Sequence, residues 1–222
     1  GPAELRPVRL GMSCGLQVED DNSLGTHVFL WLCAQLGAEP YLAGNVGSGS
    51  PQELCDWLEY CNTAVATTLG RERAANGAAQ PFGVKLWGVG NENWGCGGNY
   101  DPATYAREYV RYATMLRHVD PGAELVICGH DDGWNAELLA TVLNESDRNI
   151  LLVGGEAEGD RLQRLAAGLP PARLHVARSV PLDALASRLR ACELFVGHDS
   201  GITHLAALFP LRGFEPEHAA LL

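Results

Sequence analysis

Apolar runs alternate with amphipathic stretches along the whole chain. The short runs at residues 41–45, 83–90, 124–128, 150–154, 174–177 and 194–197 mostly close on a glycine or a polar residue. That is the look of parallel strands buried on both faces. Helical periodicity fills the gaps between them. Residues 27–36 form the first helix, with Val28, Trp31, Leu32 and Ala34 expected towards the core. Ser50-Pro51-Gln52-Glu53 starts the next, since Ser50 can cap, Pro51 suits the first helical position and Glu53 completes a capping box. Leu54, Trp57, Leu58 and Cys61 then recur at i, i+3, i+4 and i+7. Asp101-Pro102 opens a third helix, striped by Tyr105, Tyr109, Tyr112 and Leu116 and stopped at Pro121-Gly122. Further helices are expected at 160–167, 181–191 and 202–208. Strand-then-helix repetition predicts an α/β fold of parallel βα units. Residues 64–81 read as a loop or helix-and-loop insertion, residues 144–149 as a seam, and residues 210–222 as a poorly ordered tail.

Composition narrows the class. The 222 residues are 46% hydrophobic and 19% charged, which is globular. The net charge of −11 disfavours nucleic acid and anionic membranes as partners. No apolar run approaches the length of a membrane span, so the expected location is the cytoplasm. The seven cysteines contain no CxxC pair, so a zinc site is not expected, and reduced, mostly buried thiols are the natural reading; no cofactor is expected.

The sharpest candidate chemistry follows the strand at 83–90, which runs straight into Asn91-Glu92-Asn93-Trp94. A carboxylic acid at the C-terminal end of a barrel strand faces the reaction site and can protonate a glycosidic leaving oxygen. Asn91 can hydrogen-bond a sugar hydroxyl, and Trp94 and Tyr100 offer flat faces to a sugar ring. A lone glutamate after a strand is as well read as a capping or surface carboxylate. The surrounding text shifts that balance. Val18-Glu19-Asp20, Asn22-Ser23-Leu24-Gly25-Thr26-His27, the run from Leu36 to Gly49, Trp57-Leu58-Glu59-Tyr60-Cys61-Asn62 and above all Trp87-Gly88-Val89-Gly90-Asn91-Glu92-Asn93-Trp94-Gly95-Cys96-Gly97-Gly98 resemble family 51 α-L-arabinofuranosidases. The resemblance implies a (β/α)8 barrel, represented here by its third to fifth strands, and retaining removal of terminal α-L-arabinofuranosyl groups. It implies Glu92 as acid/base, Asn91 as a ligand to a substrate hydroxyl, and Trp94 and Cys96 as substrate-binding residues of the pocket loop. The family's nucleophile glutamate lies on a later strand and has no matching motif here. A complete barrel takes roughly 250 residues, so a partial one is expected.

The second half reads differently. Ile150 to Glu156 is a strand ending in a Gly-Gly-Glu turn, and Leu194 to Ala207 is a strand, a turn and a helix start. Ser200 and Gly201 would offer backbone N–H groups to a phosphate, and Glu156 would accept from ribose hydroxyls. An ordinary βα turn with a capping serine explains one such turn equally well. The Asp-Ser-Gly-Ile-Thr-His-Leu-Ala-Ala run and the residues before it resemble family 9 glycosyltransferases, the heptosyltransferase group. That resemblance implies a Rossmann-like segment binding a nucleotide-sugar, with Asp199, Ser200 and Gly201 near the donor phosphates and Glu156 near the nucleoside. His204 falls on a motif position and serves equally well in helix packing.

The expected organisation is therefore residues 1–147 as a partial hydrolase barrel and 148–222 as a partial Rossmann-like segment. Three functions stay open: an arabinofuranoside hydrolase, a nucleotide-sugar-binding glycosyltransferase segment, and a non-catalytic fusion of both. A three-strand barrel piece leaves sheet edges and a sheet face to be covered. Pairing of all the βα units into one sheet, or homo-oligomerisation, would cover them.

Overall fold

The computed structural model describes residues 5–13, 16–147, 149–154, 159–181, 184, 185, 188, 192–195 and 219–221. It divides into two compact units, one of Gly1–Pro40 with Tyr60–Val84 and the other of Tyr41–Glu59 with Lys85–Leu222.

The smaller unit opens with an antiparallel pair, β1 (Arg9–Ser13) and β2 (Leu16–Asp20), in register from Arg9 opposite Asp20 to Ser13 opposite Leu16. Arg6 donates to the carbonyls of Asn22 and Ser23 at 2.8 and 2.7 Å. Helix α1 (Thr26–Leu36) follows and ends on Gly37, whose φ of 64° is the left-handed C-terminal stop that glycine adopts without strain. Leu30 and Cys33 are its buried residues, while Val28, Trp31 and Leu32 are exposed, Trp31 by 62%. The expected core face of this helix is thus corrected. Apolar residues lie nearly all round it, so periodicity alone did not choose a face. The insertion at 64–81 contains α3 (Thr68–Ala75), capped by Thr67, whose hydroxyl accepts from the Gly70 N–H. Buried Arg73 donates to the carbonyls of Tyr60, Thr63 and Ala78 and so gathers the surrounding loop. His27 meets the Tyr60 hydroxyl at 2.6 Å and packs edge-on against Phe82.

The larger unit is built on one parallel sheet of seven strands. They are β3 (Tyr41–Gly44), β4 (Leu86–Val89), β5 (Glu124–Ile127), β6 (Asn149–Gly154), β7 (Leu174–Arg178), β8 (Cys192–Phe195) and β9 (Ala219–Leu221), in spatial order β3-β4-β5-β8-β9-β6-β7. Every pairing is parallel. The βα units therefore do join in one sheet. The first three strands lie in sequence order, as successive barrel strands do. β9 comes from the tail expected to be poorly ordered; three residues are too few to carry a readable period, and the strand is made by its two neighbours.

Helices cover this sheet where their stripes require it. In α2 (Pro51–Asn62) the capping box forms as the sequence implied. The Ser50 N–H donates to Glu53 Oε2 at 2.7 Å and the Glu53 N–H to Ser50 Oγ at 3.3 Å. Trp57 meets buried Trp87 of β4 edge-on, with centroids 5.6 Å apart. In α4 (Pro102–Val119) Asp101 caps through the Thr104 N–H, and Tyr105, Tyr109, Tyr112 and Leu116 are all buried. Helix α5 (Asp132–Asn144), which the apolar pattern did not announce, packs on α4 and buries Leu138, Leu139, Val142 and Leu143. α6 (Gly159–Ala167) follows β6 and buries Leu162 and Leu165. The expected helix at 202–208 lies outside the described residues, as does most of that at 181–191.

Candidate active site

Strand β4 ends at Val89, and the chain turns at once. Gly90 has φ 94°, and a Cβ there would come within 2.0 Å of Asn93 Oδ1, so only glycine fits. Two residues on, Glu92 holds φ 46°, a left-handed conformation uncommon for a side-chain-bearing residue. Strain of this kind persists only where the surroundings fix it. Here the Glu92 carbonyl accepts from the N–H groups of Gly95 and Gly97 at 2.8 and 3.0 Å. Fully buried Asn93 donates its side-chain amide to the Gly97 carbonyl, and its own carbonyl accepts from Tyr100. A Cβ on Gly97 would run into the Asn91 carbonyl, so the loop closes only with glycine there.

The result is a tight turn at the C-terminal end of β4, the end where parallel α/β sheets place their sites. Asn91, Glu92 and Cys96 are exposed on it and Trp94 is half-buried. Glu92 Oε2 accepts from the Cys96 thiol at 3.1 Å. That hydrogen bond, with some burial and the carboxylate's charge, pushes the Cys96 thiol above its ordinary range.

The adjacent loops complete the surroundings. After β3, Gly47 lies against Gly97 and Gly98, and the Val46 carbonyl accepts from the Tyr100 hydroxyl at 3.2 Å. Tyr100 thus ties two loops together through its hydroxyl. After β5 come Cys128 and His130. The half-buried Cys128 thiol donates to the Gly129 carbonyl at 3.6 Å, and burial is the main cause that raises it above its ordinary range. His130 stacks on Trp94 with centroids 4.2 Å apart and planes 14° apart, covering one face of the indole. The Asn135 side chain holds the His130 backbone at both its N–H and its carbonyl. Beneath the strand ends, the Tyr105 hydroxyl donates to the Val89 carbonyl at 2.5 Å and accepts from the Cys128 N–H at 2.9 Å. Burial raises the Tyr105 phenol well above its ordinary range, so it stays neutral.

Asp131 and Asp132 follow His130, and Asp131 Oδ2 lies 3.7 Å from His130 Nε2. Asp131 caps α5 through the Trp134 N–H at 2.9 Å. Asp132 pairs with Arg161 and, at 3.6 Å, with Arg164. These two, His130, Gly133 and Arg161 line an open hollow.

The structure thus brings Asn91, Glu92, Trp94 and Cys96 into one turn. Glu156, Asp199, Ser200, Gly201 and His204 lie outside the described residues. Cys128 and His130 were not anticipated. The available signal was positional: they stand just past the strand next to β4, where a parallel sheet gathers its functional side chains.

Comparison with known proteins places this geometry in a family. The sequence profile of the α-L-arabinofuranosidase 1 domain matches residues 1–145, and that of glycosyltransferase family 9 (heptosyltransferase) matches residues 131–209. The chain is 47% identical over 151 residues to an intracellular exo-α-L-arabinofuranosidase of Bacteroides ovatus, covering 66% of this chain and 29% of the relative. It is 38% identical over 133 residues to a probable α-L-arabinofuranosidase C of Aspergillus niger, covering 59% and 26%. The chain therefore spans less than a third of the length of these relatives. Among solved structures, the family 51 α-L-arabinofuranosidase of Thermotoga petrophila superposes with a TM-score of 0.63 at 29% identity, over 82% of this chain and 43% of that one. The α-L-arabinofuranosidase of Thermotoga maritima, solved with arabinose, gives 0.64 at 25% identity, over 100% and 50%. Such neighbours are (β/α)8-barrel enzymes, matched here in part. With two thirds of its length under one profile, and with the turn after β4 intact, the chain belongs to the α-L-arabinofuranosidase 1 domain family.

Proposed function

We propose that this chain carries the proton-donating half of an α-L-arabinofuranoside-hydrolysing site, with Glu92 as the acid/base. The observation that bears the weight is the placement of Glu92: exposed, past the C-terminal end of a parallel strand, in a left-handed conformation that its own loop enforces. In this reading Glu92 protonates the oxygen linking the arabinofuranosyl group to the rest of the chain, and later takes a proton from the attacking water. Asn91 binds a sugar hydroxyl, Cys96 lines the pocket, and Trp94 offers the face that His130 leaves uncovered. Retention requires a second carboxylate about 5–5.5 Å away; Asp131 caps a helix, Asp132 pairs with arginines, and no motif assigns that part to either.

The division near residue 147 belongs to the same reading: the arabinofuranosidase profile stops at residue 145, while the glycosyltransferase profile begins at residue 131 and runs on to residue 209. Residues 148–222 form the Rossmann-like segment. The intracellular relative, and the free thiols of Cys33, Cys55, Cys61, Cys96 and Cys128, support a cytoplasmic location. Among the described residues no helix is long and apolar enough to cross a membrane.

The test is cleavage of an α-1,5-linked arabino-oligosaccharide with azide added as the nucleophile. The wild-type chain cleaves it and Glu92→Gln loses about 10²–10⁴-fold of that rate, the usual worth of a general acid. Equal rates would remove Glu92 from the chemistry.

A second reading rests on the match of residues 131–209 to the glycosyltransferase profile. It has the C-terminal segment bind a nucleotide-sugar through Glu156, Asp199, Ser200 and Gly201, with His204 on the following helix. Calorimetry with ADP and ADP-sugars decides it: heat that disappears in Asp199→Ala supports this reading, and no heat at millimolar ligand ends it.

A further inference from the structure

The turn fixes the Glu92 main chain: its carbonyl accepts from the N–H groups of Gly95 and Gly97. The side chain is held differently. Among the described residues its carboxylate has one side-chain hydrogen-bond partner, Cys96, at 3.1 Å. Cys96 stands four residues on, in the same turn, with its thiol exposed. We propose that Cys96 is the positioning residue for Glu92, its thiol orienting the carboxylate towards the leaving oxygen. This rests on Glu92 being the proton donor.

The chemistry of the pair suits an acid that must also act as a base. An arginine or lysine beside Glu92 would favour the ionised carboxylate and hold back its proton. A thiol is neutral and a weak donor. It sets the direction of the carboxylate and lets it exchange a proton at each step. The pairing is reciprocal: the carboxylate keeps the thiol protonated, so Cys96 is an exposed cysteine of low reactivity for as long as Glu92 faces it.

That reciprocity allows a test that does not depend on turnover. Carbamidomethylation of Cys96 by iodoacetamide at pH 7.5, followed by peptide mass spectrometry, reads the thiolate directly. Removing the carboxylate in Glu92→Gln and Glu92→Ala is expected to speed labelling several-fold, while buried Cys55 of the same unit stays unlabelled and reports that each variant is folded. Equal labelling rates in folded variants would overturn the pairing and leave the proton-donor reading to its own assay. The second arm separates positioning from substrate contact. In Cys96→Ala, hydrolysis of the oligosaccharide is expected to fall at least tenfold more than hydrolysis of the p-nitrophenyl arabinofuranoside, whose leaving group needs little acid help. Cys96→Ser, which keeps a hydroxyl donor, restores most of the difference. An equal loss on both substrates would mean that Cys96 acts on the sugar and not through Glu92.

Discussion

Glu92 pays for its position in backbone strain. At φ 46° a side-chain-bearing residue is disfavoured by about 1–2 kcal/mol. Replacement by glycine relieves this, less the extra entropy that glycine brings to the unfolded chain. We expect Glu92→Gly to raise folding stability by about 0.5–1 kcal/mol in urea titration while abolishing hydrolysis of the arabino-oligosaccharide. A loss of stability would mean that the turn gains more from the Glu92 side chain than its conformation costs. Much of this was legible at residue level, because the motif from Trp87 to Gly98 is contiguous and its glycines mark where the chain must turn. Cys128 and His130 were not. They reach Glu92 and Trp94 only because β5 lies beside β4, a pairing that spacing along the chain does not reveal.

At the scale of elements, α4 is what holds the strand ends under the site. Its Tyr105 hydroxyl joins the last carbonyl of β4 to the first N–H beyond β5, inside the core. Tyr105→Phe leaves both backbone groups without this partner. It should cost about 1–3 kcal/mol, measured by thermal or urea unfolding, and should lower hydrolysis by loosening the Glu92 turn. A neutral result would mean that water replaces the hydroxyl. The start of the same helix is a titratable cap. The Asp101 carboxylate accepts from Thr104, and that hydrogen bond holds its pKa below the ordinary value. A group depressed in the folded state stabilises above its unfolded pKa and ceases to as pH falls through the folded one. Asp101→Ala should therefore cost about 1 kcal/mol at pH 7, and the gap to wild type should shrink as pH is taken below 4. A gap unchanged at low pH would assign the effect to packing. The caps and the tyrosine stripe were readable because they are local rules. The buried face of α1 was not, since its apolar residues surround the helix, and α5 was hidden because its first turn, Asp132-Gly133-Trp134-Asn135, is polar and irregular.

For the molecule as a whole, the feature to explain is a sheet that draws three strands from the arabinofuranosidase-like residues and four from those beyond residue 147. Alternation of strand and helix announced a parallel α/β fold, because each unit is local. The order of strands was not readable, because the β5–β8 and β6–β9 pairings join segments about 70 residues apart. Those pairings make a prediction. A chain ending at residue 147 loses the partners of Leu125 and Val126 and leaves that edge of β5 open. It should self-associate with rising concentration in sedimentation velocity and unfold at a lower temperature. A monomeric fragment of unchanged melting temperature would mean that the shared sheet contributes little.

The central claim is that Glu92 delivers a proton, and leaving-group dependence tests it most directly. For a series of aryl and alkyl α-L-arabinofuranosides, the logarithm of the rate is plotted against the leaving group's pKa, with wild type beside Glu92→Gln. The account predicts a shallow slope for wild type and a steep one for the variant, with the two rates converging at the most acidic phenols, which need no proton. Parallel lines of equal slope would contradict it.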